Sequence, residues 1–186
     1  MAISKEELNA LDVEVFNGEI RVIDSQEQVD AACEALRQVD IIGFDTETKP
    51  AFRKGVSNKV ALLQLSTSDK CFLFRLNKIE MPSCLISILS DKDIKKIGLS
   101  IKDDFHALGK TYSFKPQNFI EIQSLVKDYD IEEQSLQKVY AILFNKRITK
   151  GQRLSNWEAD ELSEAQQMYA AIDAWACLKI YQHLVG

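Results

Sequence analysis

With 186 residues, 46% of them hydrophobic and 27% charged, the chain has the length and composition of one soluble globular domain with a buried core. Its net charge of −5 argues against a protein that holds nucleic acid through bulk positive potential, but not against an enzyme that meets phosphates through bound metal ions. No apolar run is long enough to cross a bilayer and the first residues form no signal peptide, so we expect no membrane partner and an intracellular, cytoplasmic location.

The cysteines do not suggest a metal site. The four of them are scattered, without a Cys-x-x-Cys pair, and the chain contains only two histidines. We therefore expect buried thiols and no zinc.

In its first half the chain alternates strands with one helix. Residues 1–18 predict an extended arm or a short helix, and Ser25 predicts the N-cap of a helix whose apolar positions extend to Val39. Residues 49–59 form a polar, basic loop, and Thr67-Ser68-Asp69 predicts a hairpin turn. The strands predicted in this half are residues 19–24, 41–46, 60–66 and 70–76.

The second half is predominantly helical. Pro82 is expected in the first turn of a helix, Ser100 begins another, and a long terminal helix starts near Ser163 and continues almost to Gly186. Two short strands are predicted, over residues 95–99 and 119–122. The whole chain, 1–186, is thus predicted to be a single α/β domain with a mixed central sheet flanked by helices, preceded by an arm over 1–18.

One strand ends in two acids, in the stretch Ile41-Ile-Gly-Phe-Asp45-Thr-Glu47-Thr. Because strand side chains alternate, Asp45 and Glu47 are predicted to share a face and Thr46 to point the other way. Neighbouring carboxylates repel each other unless a cation lies between them, and hard divalent cations prefer oxygen ligands. A strand entering a polar loop with both acids solvated remains the alternative from this stretch alone.

Helical geometry selects one of two further acids. Ile101, Phe105 and Leu108 form the apolar face of the helix after Ser100, and Asp104 lies beside that face. Asp103 points away and suits the helix N-terminus as a solvated acid. We therefore expect Asp104 to be buried, either in a salt bridge or as a ligand.

The terminal helix contributes a third acid. In Tyr169-Ala-Ala-Ile-Asp173-Ala the tyrosine and aspartate are four residues apart and share a face among small alanines. A structural hydrogen bond is the alternative. Asp173 joins Asp45, Glu47 and Asp104 in a predicted cluster of four inward acids. Two Mg²⁺ or Mn²⁺ ions would neutralise this cluster, and such a pair of ions is the arrangement used for phosphodiester cleavage.

These motifs, in this order, resemble the DEDD 3′–5′ exonucleases of the ribonuclease H-like superfamily, in the tyrosine-containing (DEDDy) branch with ribonuclease D and Werner-syndrome-type domains. The resemblance covers about residues 20–184 and includes Leu154-Ser-Asn-Trp157 before the last motif. It implies hydrolysis of single-stranded or 3′-recessed nucleic acid from the 3′ end by two divalent cations, releasing nucleoside 5′-monophosphates. Asp45, Glu47 and Asp173 would hold one metal, with Asp45 bridging to a second bound by Asp104, and Tyr169 would orient the attacking water.

Six basic residues are candidate contacts for the phosphate backbone, although each is also compatible with an ordinary solvated surface. They are Arg53, Lys54, Lys146, Arg147, Lys150 and Arg153. Two other functions stay open: a non-catalytic nucleic-acid-binding domain of the same fold and a haloacid-dehalogenase-type phosphatase, whose Asp-x-Asp-x-Thr signature Asp45-Thr-Glu-Thr48 imitates. Neither the choice of DNA or RNA nor the oligomeric state is contained in the sequence.

Overall fold

A six-stranded mixed β-sheet forms the centre of the computed structural model, which describes residues 1–186. The predicted α/β fold is confirmed. The strands are β1 (Glu19–Ile23), β2 (Ile41–Thr48), β3 (Val60–Ser66), β4 (Lys70–Arg75), β5 (Lys95–Gly98) and β6 (Phe119–Glu121). The helices are α1 (Lys5–Asn9), α2 (Gln26–Leu36), α3 (Leu76–Ile79), α4 (Ser83–Leu89), α5 (Ile101–Gly109), α6 (Ile122–Leu125), α7 (Leu136–Phe144) and α8 (Glu164–Val185), with a 3₁₀ turn over Val126–Tyr129.

The sheet has the strand order β1-β4-β3-β2-β5-β6. Strand β3 is antiparallel to both β2 and β4, whereas the pairs β1–β4, β2–β5 and β5–β6 are parallel. The acid-bearing strand β2 therefore has a hydrogen-bonded neighbour on each side. Because β2 and β5 are parallel, the chain leaves both strands at the same edge of the sheet.

Alternation along the strands builds a separate core on each face. On β3 and β4, Leu62 and Leu73 belong to the cluster beneath α7 and α8, whereas Leu63 and Phe72 belong to the cluster beneath α2 and α4. All of β3 is buried, because both of its faces are covered. The two cores hold the sheet rigidly between the helices.

Helix α8 is the longest element, with 22 residues, and it packs across the sheet. It begins where the sequence predicts, because Ser163 caps it and forms a capping box with Gln166. No helix of the structure combines the length and the apolar character needed to cross a membrane.

Several element boundaries differ from the sequence prediction. Helix α2 ends at Leu36, so Val39 packs on the core from outside the helix, and Pro82 is the N-cap of α4 and precedes its first turn. Strand β4 ends at Arg75 because α3 begins at once, and β6 gives way to α6 after Glu121. The turn between β3 and β4 is confirmed, with the amide of Thr67 donating to the carbonyl of Lys70 at 2.8 Å.

Candidate active site

Strand β2 carries Asp45 and Glu47 on one face in its C-terminal half, as the alternation of its side chains predicts. Asp45 lies opposite Gln64 of β3, and Glu47 opposite Leu62, before a register shift at Thr48. Asp45 is half-buried, and the Glu47 side chain is buried. Both acids therefore lie on the part of β2 that pairs with β3, beyond Gly43, where its pairing with β5 ends.

Helix α8 brings Asp173 to these acids through a close approach of two backbones. Gly43 of β2 faces the carbonyl of Ala174, and a Cβ at Gly43 would lie 1.9 Å from that oxygen. The side-chain amide of Gln64, through its Nε2, also donates to the carbonyl of Ala170 at 3.4 Å. A residue without a side chain on the strand and alanines on the helix are thus what allow Asp173 to reach the strand acids.

Three carboxylates converge as a result. One oxygen each from Asp45, Glu47 and Asp173 lie within 4.8 Å of one another. The buried Oδ1 of Asp173 has no hydrogen-bond partner, and none of the three acids forms an ion pair with a protein cation. A buried carboxylate oxygen without a protein partner, in a set of ligands that contains only oxygen, fits a hard divalent cation such as Mg²⁺ or Mn²⁺.

Asp104 lies beside this group and is not one of its three converging acids. Its Oδ1 accepts a hydrogen bond from the hydroxyl of Thr46, the residue that alternation points away from Asp45 and Glu47. Asp103, its neighbour, is exposed, as helical geometry predicts. The structure therefore brings three of the four predicted acids into direct proximity and holds the fourth through Thr46.

Glu121, at the end of β6, fixes the start of the helix that carries Asp104. Its carboxylate accepts hydrogen bonds from the amides of Ser100 at 3.0 Å and Ile101 at 2.9 Å. Ser100 adopts the left-handed backbone conformation, with φ of 58°. Glu121 thus satisfies amides at the N-terminus of α5, which the Ser100 side chain leaves unbonded.

The electrostatics of the site record the same crowding of acids. Burial, and then the charge of Asp173, raises the pKa of Asp45 well above its usual range. Burial together with the Asp45 charge raises the pKa of Glu47 to about 10 and that of Asp104 to about 8, and burial raises the pKa of Asp173 to about 7. Without a cation, these raised pKa values favour protonated carboxyls at neutral pH. A bound cation would lower the pKa values again, because its positive charge favours the carboxylate form.

Tyr169 lies one helical turn before Asp173 and faces the same cavity. Its side chain is buried, and its ring lies 6.0 Å from that of Trp157. Burial, reinforced by the Asp173 charge, raises the pKa of Tyr169, so it remains a neutral phenol that can donate a hydrogen bond.

Asp45, Glu47 and Asp173 line a cavity of about 470 Å³, whereas Asp104 does not line it. Lys150 and Arg153 line it from the segment between α7 and α8. Arg75 anchors that segment, donating to the carbonyl of Asp160 at 2.8 Å, and the indole of Trp157 donates to the carbonyl of Arg153 at 3.2 Å. Lys150 and Arg153 are therefore held at this cavity by the hydrogen bonds that fix the backbone of their segment.

The other predicted phosphate contacts do not line this cavity. Arg53 and Lys54 are exposed in the loop between β2 and β3, and Lys146 is exposed after α7. The side chain of Arg147 is committed to the N-terminal arm, because its Nε donates to the carbonyl of Leu11 at 2.9 Å.

Sequence reasoning missed Thr46, Glu121 and Arg75. Thr46 stands inside the predicted motif, but its partner Asp104 is 58 residues away. The position of Glu121, at the end of the strand after the Asp104 helix, was the available signal. Arg75 gave none, because an arginine that ends a strand is ordinarily exposed, whereas this one is 1% exposed.

Solved structures share this fold. The exonuclease domain of Nibbler from Aedes aegypti superposes with a TM-score of 0.81 at 22% identity, covering 92% of this chain and 91% of that one. Ribonuclease D from Trypanosoma brucei, solved in complex with RNA U12, superposes with a TM-score of 0.79 at 21% identity, covering 92% of this chain and 64% of that one. The fold is therefore the ribonuclease H-like fold of ribonuclease D-type exonuclease domains.

The sequence comparisons define the family. Residues 20–185 match the 3′–5′ exonuclease family, and the mouse bifunctional 3′–5′ exonuclease/ATP-dependent helicase WRN is 35% identical over 155 residues. That alignment covers 80% of this chain but only 11% of the mouse protein, so the chain spans a small part of this relative's length. The chain belongs to the 3′–5′ exonuclease family, whose enzymes are hydrolytic nucleases. The predicted resemblance is confirmed, and the phosphatase alternative is rejected.

Proposed function

We propose that this domain removes nucleotides one at a time from the 3′ end of a single-stranded or 3′-recessed nucleic acid, as nucleoside 5′-monophosphates, with two divalent cations as cofactors. The observation that carries the proposal is the convergence of Asp45, Glu47 and Asp173 in one open cavity beside Tyr169. Family membership supports the direction of cleavage. The complete set of acids argues against the non-catalytic alternative.

Each acid has a distinct place in this proposal. Asp45, Glu47 and Asp173 would hold one cation, and Asp45 would be shared with a second cation on the side of Asp104. When bound, such a pair of ions supplies a hydroxide at neutral pH and stabilises the charge on the leaving 3′-oxygen. Thr46 keeps the Asp104 carboxylate in place by donating to it.

The remaining residues position water and substrate. The Tyr169 phenol, which keeps its proton, donates a hydrogen bond that orients the attacking water. Arg153 and Lys150 face the same cavity without a protein acid as ion-pair partner, so they can contact the phosphates of the strand. Arg53, Lys54 and Lys146 are proposed only as outer contacts, and Arg147 acts mainly through the arm.

The test is a 5′-labelled oligonucleotide incubated with purified protein and Mn²⁺ or Mg²⁺. We expect a ladder that shortens from the 3′ end, nucleoside 5′-monophosphates on chromatography, and no reaction in EDTA. Matched DNA and RNA strands compare substrates, since the 2′-hydroxyl is what distinguishes them. A ladder that starts at the 5′ end, or no cleavage of either strand, would contradict the proposal.

Variants then test the site itself. Asp45→Asn should reduce cleavage below detection, and Asp104→Asn should reduce it strongly, because each removes a charged oxygen ligand. Asp103→Asn is the matched control, since it makes the same chemical change one residue away on the exposed side of the helix. Activity retained in Asp45→Asn, or equal losses in Asp103→Asn and Asp104→Asn, would refute the assignment of these acids.

A further inference from the structure

The N-terminal arm, residues 1–18, is fixed to the segment that follows α7. The amide of Glu14 donates to the carbonyl of Arg147 at 2.8 Å, and the amide of Arg147 donates to the carbonyl of Asp12 at 2.9 Å. The Arg147 side chain adds its bond to the carbonyl of Leu11. The arm and this segment therefore form one surface.

A second set of contacts anchors the arm to the helical core. Phe16 is buried and meets the ring of Trp175 edge-on at 5.5 Å. The carboxylate of Glu14 accepts a hydrogen bond from the Tyr140 hydroxyl at 2.6 Å and lies 3.6 Å from the ammonium group of Lys179. These contacts hold α1 at a defined position beside the catalytic domain.

A groove lies between α1 and the segment after α7, next to the catalytic cavity. Its volume is about 520 Å³, and Lys5 and Leu8 of α1 form one wall. Ser135, Gln137 and Lys150 line both this groove and the catalytic cavity. The two cavities therefore adjoin, and a strand seated in the catalytic cavity could extend along the arm.

The charge of this groove is entirely positive. Lys5, Lys138, Arg147 and Lys150 line it, and no acid does. Lys5 and Lys150 are exposed and have no ion-pair partner, whereas Lys138 lies 3.6 Å from Glu133. Free cations spaced along a groove are suited to a phosphate backbone.

A second cavity next to the catalytic site, lined by residues of α5 and α6, differs in charge. It has a volume of about 440 Å³ and shares Ser100, Gln123 and Gln134 with the catalytic cavity. Its two lysines, Lys102 and Lys127, are balanced by two acids, Asp103 and Glu121. A polyanionic strand is therefore attracted to the arm side and not to this one.

We propose that the nucleic-acid strand on the 5′ side of the scissile bond occupies the groove beside α1, so that Lys5 of the arm contacts its backbone. The proposal rests on the exonuclease function proposed above and assigns the direction in which the strand leaves the site. The arm lies outside residues 20–185, the part of the chain that matches the family.

The experiment compares Lys5→Glu with two charge-matched controls, on a dinucleotide and on an oligonucleotide of about 12 nucleotides. Lys102→Glu places the same change in the cavity that Asp103 and Glu121 line, and Lys115→Glu places it on an exposed lysine that lines neither cavity. We expect Lys5→Glu to raise KM for the longer substrate roughly 10-fold. The slope of log K for its binding against log salt concentration should decrease by about 1, as for the loss of one phosphate contact. The kcat of the variant, and turnover of the dinucleotide, should not change.

The outcomes separate this proposal from the proposed function. If the unaltered protein cleaves both substrates but Lys5→Glu behaves like Lys115→Glu, or Lys102→Glu has the larger effect, the strand does not follow the arm. Equal losses on the dinucleotide and the longer substrate would also overturn the proposal, because they would indicate a disturbed site. If the unaltered protein cleaves neither, the exonuclease proposal fails first and the groove assignment fails with it.

Discussion

Substitution of Gly43 by alanine tests whether the packing of β2 on α8 sets the geometry of the acids. The added Cβ would lie 1.9 Å from the Ala174 carbonyl oxygen and 3.3 Å from the Cβ of Leu178. Backbone cannot rotate out of the way, so relieving the first contact to 3.0 Å requires α8 to retreat from the strand by about 1.1 Å. Asp173, adjacent to Ala174, would move with the helix and away from Asp45.

The size of the effect follows from that displacement. A misplacement of about 1 Å at a catalytic group can reduce turnover roughly 100-fold, and overpacking of this kind costs about 1–3 kcal/mol of the free energy of unfolding. For a domain of this size the cost corresponds to a decrease in Tm of roughly 2–12 °C.

The assay measures both consequences in the same preparation. Thermal unfolding gives the change in Tm, and single-turnover cleavage of a 5′-labelled oligonucleotide, at a temperature well below the Tm of the variant, gives the change in rate. Gly109→Ala is the matched control, because a Cβ at that helical position meets no atom within 4 Å. Gly43→Ala with the Tm and turnover of the unaltered protein would refute the packing argument.

Two further predictions concern the protons of the site. Tyr169→Phe should lower kcat without abolishing it, because the role proposed for the phenol is to orient water and not to bind a metal. Complete loss of turnover in a folded Tyr169→Phe protein would contradict that role. Because the pKa of Asp173 is raised by burial to about 7, the folded protein binds a proton that the unfolded chain releases above about pH 4. In EDTA this contribution to stability is present below about pH 4 and is lost as the pH rises toward 7. Tm should therefore fall more steeply from pH 5 to 8 in the unaltered protein than in Asp173→Asn. Parallel Tm profiles would contradict the raised pKa.

The positions of the acids were largely predictable because they follow from regular secondary structure. Strand alternation placed Asp45 and Glu47 on one face, and helical spacing chose Asp104 over Asp103. The same periodicity placed Tyr169 and Asp173 together on α8. Each of these inferences needs only the geometry of one element, which a sequence pattern can reveal.

Contacts between distant segments were not predictable. The bond from Thr46 to Asp104 and the burial of Arg75 against the carbonyl of Asp160 join parts of the chain 58 and 85 residues apart. Among the six basic residues, no pattern in the sequence distinguished Lys150 and Arg153, which line the cavity, from Arg147, which does not. They all lie in loops and connectors, where no periodicity constrains the direction of a side chain.

The central position of β2 divides the domain into parts with different freedom to change. Its backbone pairs with β5 over Ile41–Gly43 and with β3 over Gly43–Thr48, so its amides should exchange with solvent more slowly than those of the surrounding loops. Lys150 and Arg153, in contrast, lie in the loop segment between α7 and α8, and loops tolerate substitution and insertion more readily than strands. If this segment and the arm contact the strand as proposed, changes in them would alter the choice of strand and leave the strand and helices that carry the acids unchanged.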